Sequence, residues 1–112
     1  MPRPKMPETI RVGAHTYKVI RRPSKEMGDE NAYVKVDKLE IAVAKGLRFT
    51  VAQEKLLHEV NHASVSPALF YTNPKTPAEY EEAFVDTLTP PLLQVLQDNP
   101  DLVEFLRYKD KK

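Results

Sequence analysis

No cysteine occurs among the 112 residues. That absence removes disulfides, thiolate metal ligands and a cysteine nucleophile together, so any metal in this chain must sit on histidine and carboxylate. An excess of charge of one sign is missing too. With 17 basic and 16 acidic residues the net charge is +1, and no broad positive field exists to attract nucleic acid or an anionic membrane. Neither partner is expected. The opening Met1-Pro-Arg-Pro-Lys-Met-Pro has basic residues but no apolar run behind them. It therefore reads as neither a secretory signal nor a membrane anchor, and the expected location is the cytoplasm.

What is present is the composition of a globular protein, 41% hydrophobic and 29% charged, well away from that of disordered chains. The length suits one domain with one core. The expected organisation is a flexible tail over residues 1–7, a single domain over 8–108 and a charged tail over 109–112. The ten prolines fall in the tail, in loops and at helix starts, where they punctuate structure.

Alternation of β-branched or aromatic with polar residues in Thr9–Val12 and Thr16–Ile20, across Gly13-Ala14-His15, predicts a hairpin. After a polar loop over Pro23–Asn31, Ala32–Val36 and Leu39–Val43 predict a second hairpin around Asp37-Lys38. Thr50 with Gln53 forms a capping-box pattern ahead of Leu56, Val60 and Ala63, so a helix should run from about Val51 to about Val65. A loop follows, over Ser66–Lys75. Thr76-Pro77-Ala78-Glu79 starts a second helix with a capping box and proline at its first position. Pro90 and Pro91, which lack amide protons, should kink or break it before Leu92–Leu96. Asn99-Pro100 reads as a cap for a short last helix carrying Leu102, Val103, Phe105 and Leu106. Sheet first and helices after is the α+β arrangement, with a sheet of three or four strands.

His58-Glu59-Val60-Asn61-His62 is an H-E-x-x-H pattern inside the first predicted helix. Residues four apart on a helix are neighbours, with Cβ atoms ~5–6 Å apart, so the two imidazoles can converge on one ion. Without that context they would be two solvated helix histidines. Glu59 is one step round the helix, beside the ion rather than on it, which suits a general base. Two histidines and water leave a catalytic zinc site one protein ligand short. Glu82 and Asp86, at i and i+4 on the second helix, share one face. An antiparallel return of that helix would let Glu82 coordinate, with Glu81 the alternative if the helix is rotated. Asp86 would then accept the outer N–H of a ligating histidine. Glu79 reads as a first-turn acid, and His15 as an exposed turn residue.

On these residues the chain resembles the gluzincin group of zinc metallopeptidases, in which H-E-x-x-H is joined by a glutamate on a later helix, often followed at four residues by an aspartate. His58, Glu59, His62, Glu82 and Asp86 match that pattern. The layout is similar to small zincin-like proteins encoded by phages and prophages, over Leu56–Ala63, Glu81–Leu88 and Asp98-Asn99-Pro100. The resemblance implies one zinc ion per chain and a peptide or protein substrate, in the cytoplasm of a bacterial host. Larger gluzincins add a later histidine or tyrosine that hydrogen-bonds the oxyanion, usually from a separate subdomain. This chain has no histidine after His62, which leaves Tyr71, Tyr80 or the distant His15 as candidate oxyanion donors, with no spacing to select one.

The expected domain is thus small and zincin-like, with a sheet of two hairpins packed on the His helix and a Glu-bearing helix alongside. Its expected activity is hydrolysis of a peptide bond with Glu59 as general base. The strand Leu39–Val43 is expected to offer an edge for an extended substrate. Two rival readings share the zinc site. One is a non-catalytic binding module stabilised by the ion; the other is a peptidase active only when a partner chain completes its cleft.

Overall fold

The computed structural model describes residues 2–28, 30–65 and 75–110. Four strands, β1 (Thr9–Val12), β2 (His15–Arg22), β3 (Ala32–Lys35) and β4 (Glu40–Ala44), precede three helices, α1 (Phe49–Val65), α2 (Pro77–Asp98) and α3 (Pro100–Arg107). The fold is α+β, and both hairpins form. β1 pairs antiparallel with β2 across Gly13-Ala14, where Gly13 takes φ 62° at the first turn position, a conformation that costs glycine little. β3 pairs antiparallel with β4 through a short 3-10 turn over Val36–Lys38, closed by Leu39 in the left-handed region.

The hairpins join through a parallel pairing of β2 with β4, giving the order β1-β2-β4-β3. β4 is therefore interior, and the expected free edge at Leu39–Val43 belongs instead to β3. The cause lies in the side chains. Ile41, Ala42, Val43 and Ala44 are all fully buried, and an unbroken apolar run of this kind suits a strand covered on both faces. Ile41 and Val43 face the helices, while Ala42 and Ala44 face Met27 from the β2–β3 connection.

The helices cover one face of the sheet. Ala52, Leu56 and Val60 of α1 join Ile10, Tyr17, Ile41 and Val43 of the sheet and Val95, Leu102 and Phe105 of the later helices in the main core. α1 is held at its first turns. The Phe49 ring packs on Phe105 at 5.1 Å between centroids, and the Gln53 amide donates to the carbonyls of Phe105 (2.8 Å) and Tyr108 (2.9 Å). Gln53 thus ties α1 to the end of α3 instead of serving in the expected capping box, because the helix begins one turn position earlier, at Phe49. The capping box of α2 forms as expected: Glu79 N–H donates to Thr76 Oγ1 at 3.1 Å, and Thr76 N–H donates to Glu79 Oε2 at 2.9 Å.

α2 runs unbroken through Pro90 and Pro91. The carbonyls that lose their amide partners are those of Asp86 and Thr87, and Asp86 lies on the exposed side, where solvent can take the donor's place. The cap at its start and the burial of Val95 near its end hold the two halves in line. Asn99 gives α3 no side-chain cap. It is buried and clamps β1: Arg11 N–H donates to Asn99 Oδ1 (2.8 Å), while Asn99 Nδ2 donates to the carbonyls of Arg11 (2.9 Å) and Val95 (2.8 Å).

Residues 2–7, expected as a flexible tail, lie against the domain. Pro7 is buried, Met6 packs on the core, and the Arg3 guanidinium grips Asp110 through two hydrogen bonds of 2.7 and 2.6 Å. No helix among the described residues is long and apolar enough to cross a membrane.

Candidate metal centre

The core stripe of α1 fixes where its remaining faces point. With Leu56 and Val60 at zero exposure against the sheet, His58 and His62 turn outward, and both are exposed. Their Nε2 atoms approach to 3.1 Å, with the rings edge to face. A tetrahedral ion about 2.0–2.1 Å from each nitrogen would hold them roughly 3.3–3.4 Å apart, so only a slight opening separates the observed pair from a bidentate metal grip. These two residues fit zinc.

Glu59 falls between the histidine face and the core stripe, which places it beneath the edge of the sheet. It is 7% exposed, and its carboxylate makes no hydrogen bond or ion pair with any described residue. Neither of its carboxylate oxygens is sealed from solvent, since Asn61 Oδ1 is the one fully buried side-chain oxygen without a partner among the described residues, so the buried Glu59 side chain presents its carboxylate to a cleft. That burial pushes its pKa above the usual carboxylate range; the neighbouring His58 and His62 pull it down, and Glu30 adds to the rise. Glu59 and both histidines line one cleft of about 560 Å³, whose opposite wall is Glu30, Asn31 and the start of β3, with Lys55 at the side. A larger recess of about 810 Å³ lies elsewhere, between residues 2–4 and α3, and has no histidine in its lining.

The other expected site residues are placed differently. The partly or fully buried residues of α2 are Ala83, Thr87, Leu88, Pro91, Leu92, Gln94 and Val95, which leaves Glu82 and Asp86 together on the exposed side. They share a face, as their spacing requires, but that face is turned to solvent and lines no part of the cleft. Glu81 is exposed as well. Among the described residues no three of His, Asp and Glu are gathered as a metal-holding group. Tyr80 is 57% exposed and absent from the cleft wall, and Tyr71 lies outside the described residues. His15 is exposed at the start of β2.

Compared with protein-family models, with curated proteins and with solved structures, the chain matches none. Geometry and the H-E-x-x-H motif itself are what bear on function.

Two cleft residues had escaped the sequence reading. Lys55 was within reach of it, since it lies three residues before His58 and four before Glu59 on the same helix and so shares their face. Glu30 had no such signal. It sits in a polar loop whose path depends on β2 pairing with β4.

Proposed function

We propose that this chain is a zinc-dependent hydrolase of zincin-like type, a small metallopeptidase that holds one zinc ion through His58 and His62 and uses Glu59 as general base. The observation that carries the reading is the unpartnered Glu59 carboxylate, held on a largely buried side chain and opening into the same cleft as two imidazoles 3.1 Å apart. Zinc, when bound, would supply Lewis acidity to a substrate carbonyl and to water. Glu59 would take the proton released as water attacks and return it to the departing nitrogen. Packing of the rest of its side chain limits where that carboxylate can point, which holds it toward the cleft.

A peptide substrate is supported by the strand that forms the cleft wall. The Asn31 carbonyl accepts from Ala44 N–H at 2.8 Å, so by the alternation of an antiparallel ladder the N–H and C=O of Ala32 and Val34 point away from β4. An extended peptide can add there by backbone pairing, on β3 rather than on β4. Glu82 and Asp86, expected beside the ion, do not line the cleft as α2 is packed.

The test is Glu59→Gln, which keeps size and removes the base. Zinc content and fold should be unchanged while the hydrolysis rate falls at least about 100-fold. Wild type and variant would be incubated with an unfolded protein mixture and new termini mapped by mass spectrometry. Identical cleavage by both would defeat the enzyme reading, and zinc binding with no turnover by wild type would leave the non-catalytic module. A second reading, in which turnover needs a partner chain, is favoured by the exposed Tyr80, Phe84, Val85 and Leu93 on α2, an apolar surface outside the cleft lining. It requires that turnover appear only in the complex.

A further inference from the structure

We propose that Glu30, on the β2–β3 connection, is the third protein ligand of the ion assigned above to His58 and His62. The inference rests on the zinc reading and names the ligand that reading still lacks. Two acids line the cleft that holds both imidazoles, Glu30 and Glu59. Glu59 is next to His58 in sequence, and adjacent helix positions do not face one another, so it suits the base and not the coordination sphere. Glu30 comes from the opposite wall.

Its backbone is fixed on both sides. Glu30 N–H donates to the Met27 carbonyl at 3.2 Å, and the next residue's carbonyl accepts from Ala44 N–H at 2.8 Å. Met27 is itself buried against Ala42 and Ala44, so the connection is seated on the sheet just before β3 begins. The Glu30 carboxylate, by contrast, is exposed and makes no hydrogen bond or ion pair with a described residue. As the structure stands it is not gathered with His58 and His62 into a three-residue group, and it would have to turn toward them, a motion that breaks no contact. Glu82 stands on α2, no residue of which lines that cleft. In this chain the carboxylate ligand would therefore precede the histidine motif in sequence and reach the ion from the sheet side.

Zinc affinity of the full chain, measured by competition with a chromophoric chelator after stripping and reloading, tests the inference without any substrate. Glu30→Gln should lose more than about 100-fold, beyond the 10–100-fold expected of a group that only orients a ligand. Glu82→Gln should bind as wild type. Glu30→His, which offers another nitrogen ligand from the same place, should recover most of the affinity, and circular dichroism would check that each variant folds. With cobalt in place of zinc, the visible spectrum should change in Glu30→Gln and stay the same in Glu82→Gln. Wild-type affinity in Glu30→Gln, a loss confined to the 10–100-fold range, or a major loss in Glu82→Gln would each overturn the inference while leaving His58 and His62 as ligands. A wild-type chain that takes up no zinc would overturn the zinc reading itself.

Discussion

Along β1, at one edge of the sheet, the outward N–H and C=O of Arg11 meet the Asn99 amide, and the N–H of Gly13 donates to Gln94 Oε1 at 2.7 Å. Along β3, at the other edge, the outward backbone groups of Ala32 and Val34 meet no described residue, and the histidine pair stands beside them. A bare sheet edge invites pairing with other chains, and proteins commonly cover it. Here two side-chain amides from α2 and the α2–α3 junction imitate a neighbouring strand at β1. The edge left open is the one that flanks the candidate site, which is where an extended substrate would need it. Side-chain clamps close one edge of the sheet, and the candidate site adjoins the open one.

The comparison predicts where the chain is sensitive. Asn99→Ala should have the largest effect, because it leaves the Arg11 N–H and part of the surrounding carbonyl set unpaired in a partly buried place. A loss of about 2–4 kcal/mol is expected in urea unfolding. A loss under about 0.5 kcal/mol would mean that solvent reaches this edge and that it is not closed in the sense argued.

Proline placed at matched positions on the two edges sharpens the contrast. Arg11→Pro deletes the N–H that Asn99 accepts and should cost about 1–3 kcal/mol by leaving a buried acceptor unpaired. Val34→Pro deletes an N–H that points away from β4, which edge strands tolerate. It should fold at a smaller cost, arising from lost packing of a partly buried side chain, yet impair peptide cleavage. Equal destabilisation by both would show that the outward groups of β3 are engaged after all.

Much of this architecture was legible in the sequence. The alternation of Thr9–Val12 and its partners marks the hairpins, and the Thr76–Glu79 box marks the start of α2, because both signals are local. The edge expected at Leu39–Val43 lies inside the sheet, and Ile41–Ala44 holds the clue in four consecutive apolar residues. The i and i+4 spacing of Glu82 and Asp86 establishes that they share a face but not which way the face points. That is decided by Ala83, Thr87 and Val95, whose burial is a tertiary fact. Pro90 and Pro91 failed to break α2 because anchors at both of its ends outweigh a local loss of donors. Asn99 looked like a cap since caps and peptide-like clamps use the same amide. Glu30 was invisible, because nothing in a polar loop announces that a parallel pairing of β2 and β4 will carry it across to the histidine helix.

The smallest effect on stability is expected at the centre of the site. Glu59 is as buried as Asn99, 7% against 8% exposed, yet one makes no polar contact with a described residue and the other makes three hydrogen bonds. Partial desolvation of an unpaired carboxylate opposes folding slightly, whereas burial of a fully paired amide does not. In the metal-free protein, Glu59→Gln should therefore leave urea stability unchanged or raise it, by up to about 1 kcal/mol, while Asn99→Ala lowers it severalfold more. Gain of stability on removal of a functional group is the behaviour expected of a residue kept for chemistry. If Glu59→Gln instead destabilised the metal-free chain as much as Asn99→Ala, Glu59 would be holding the fold together. Its carboxylate would then no longer argue for a base, and the open edge beside it would need another explanation.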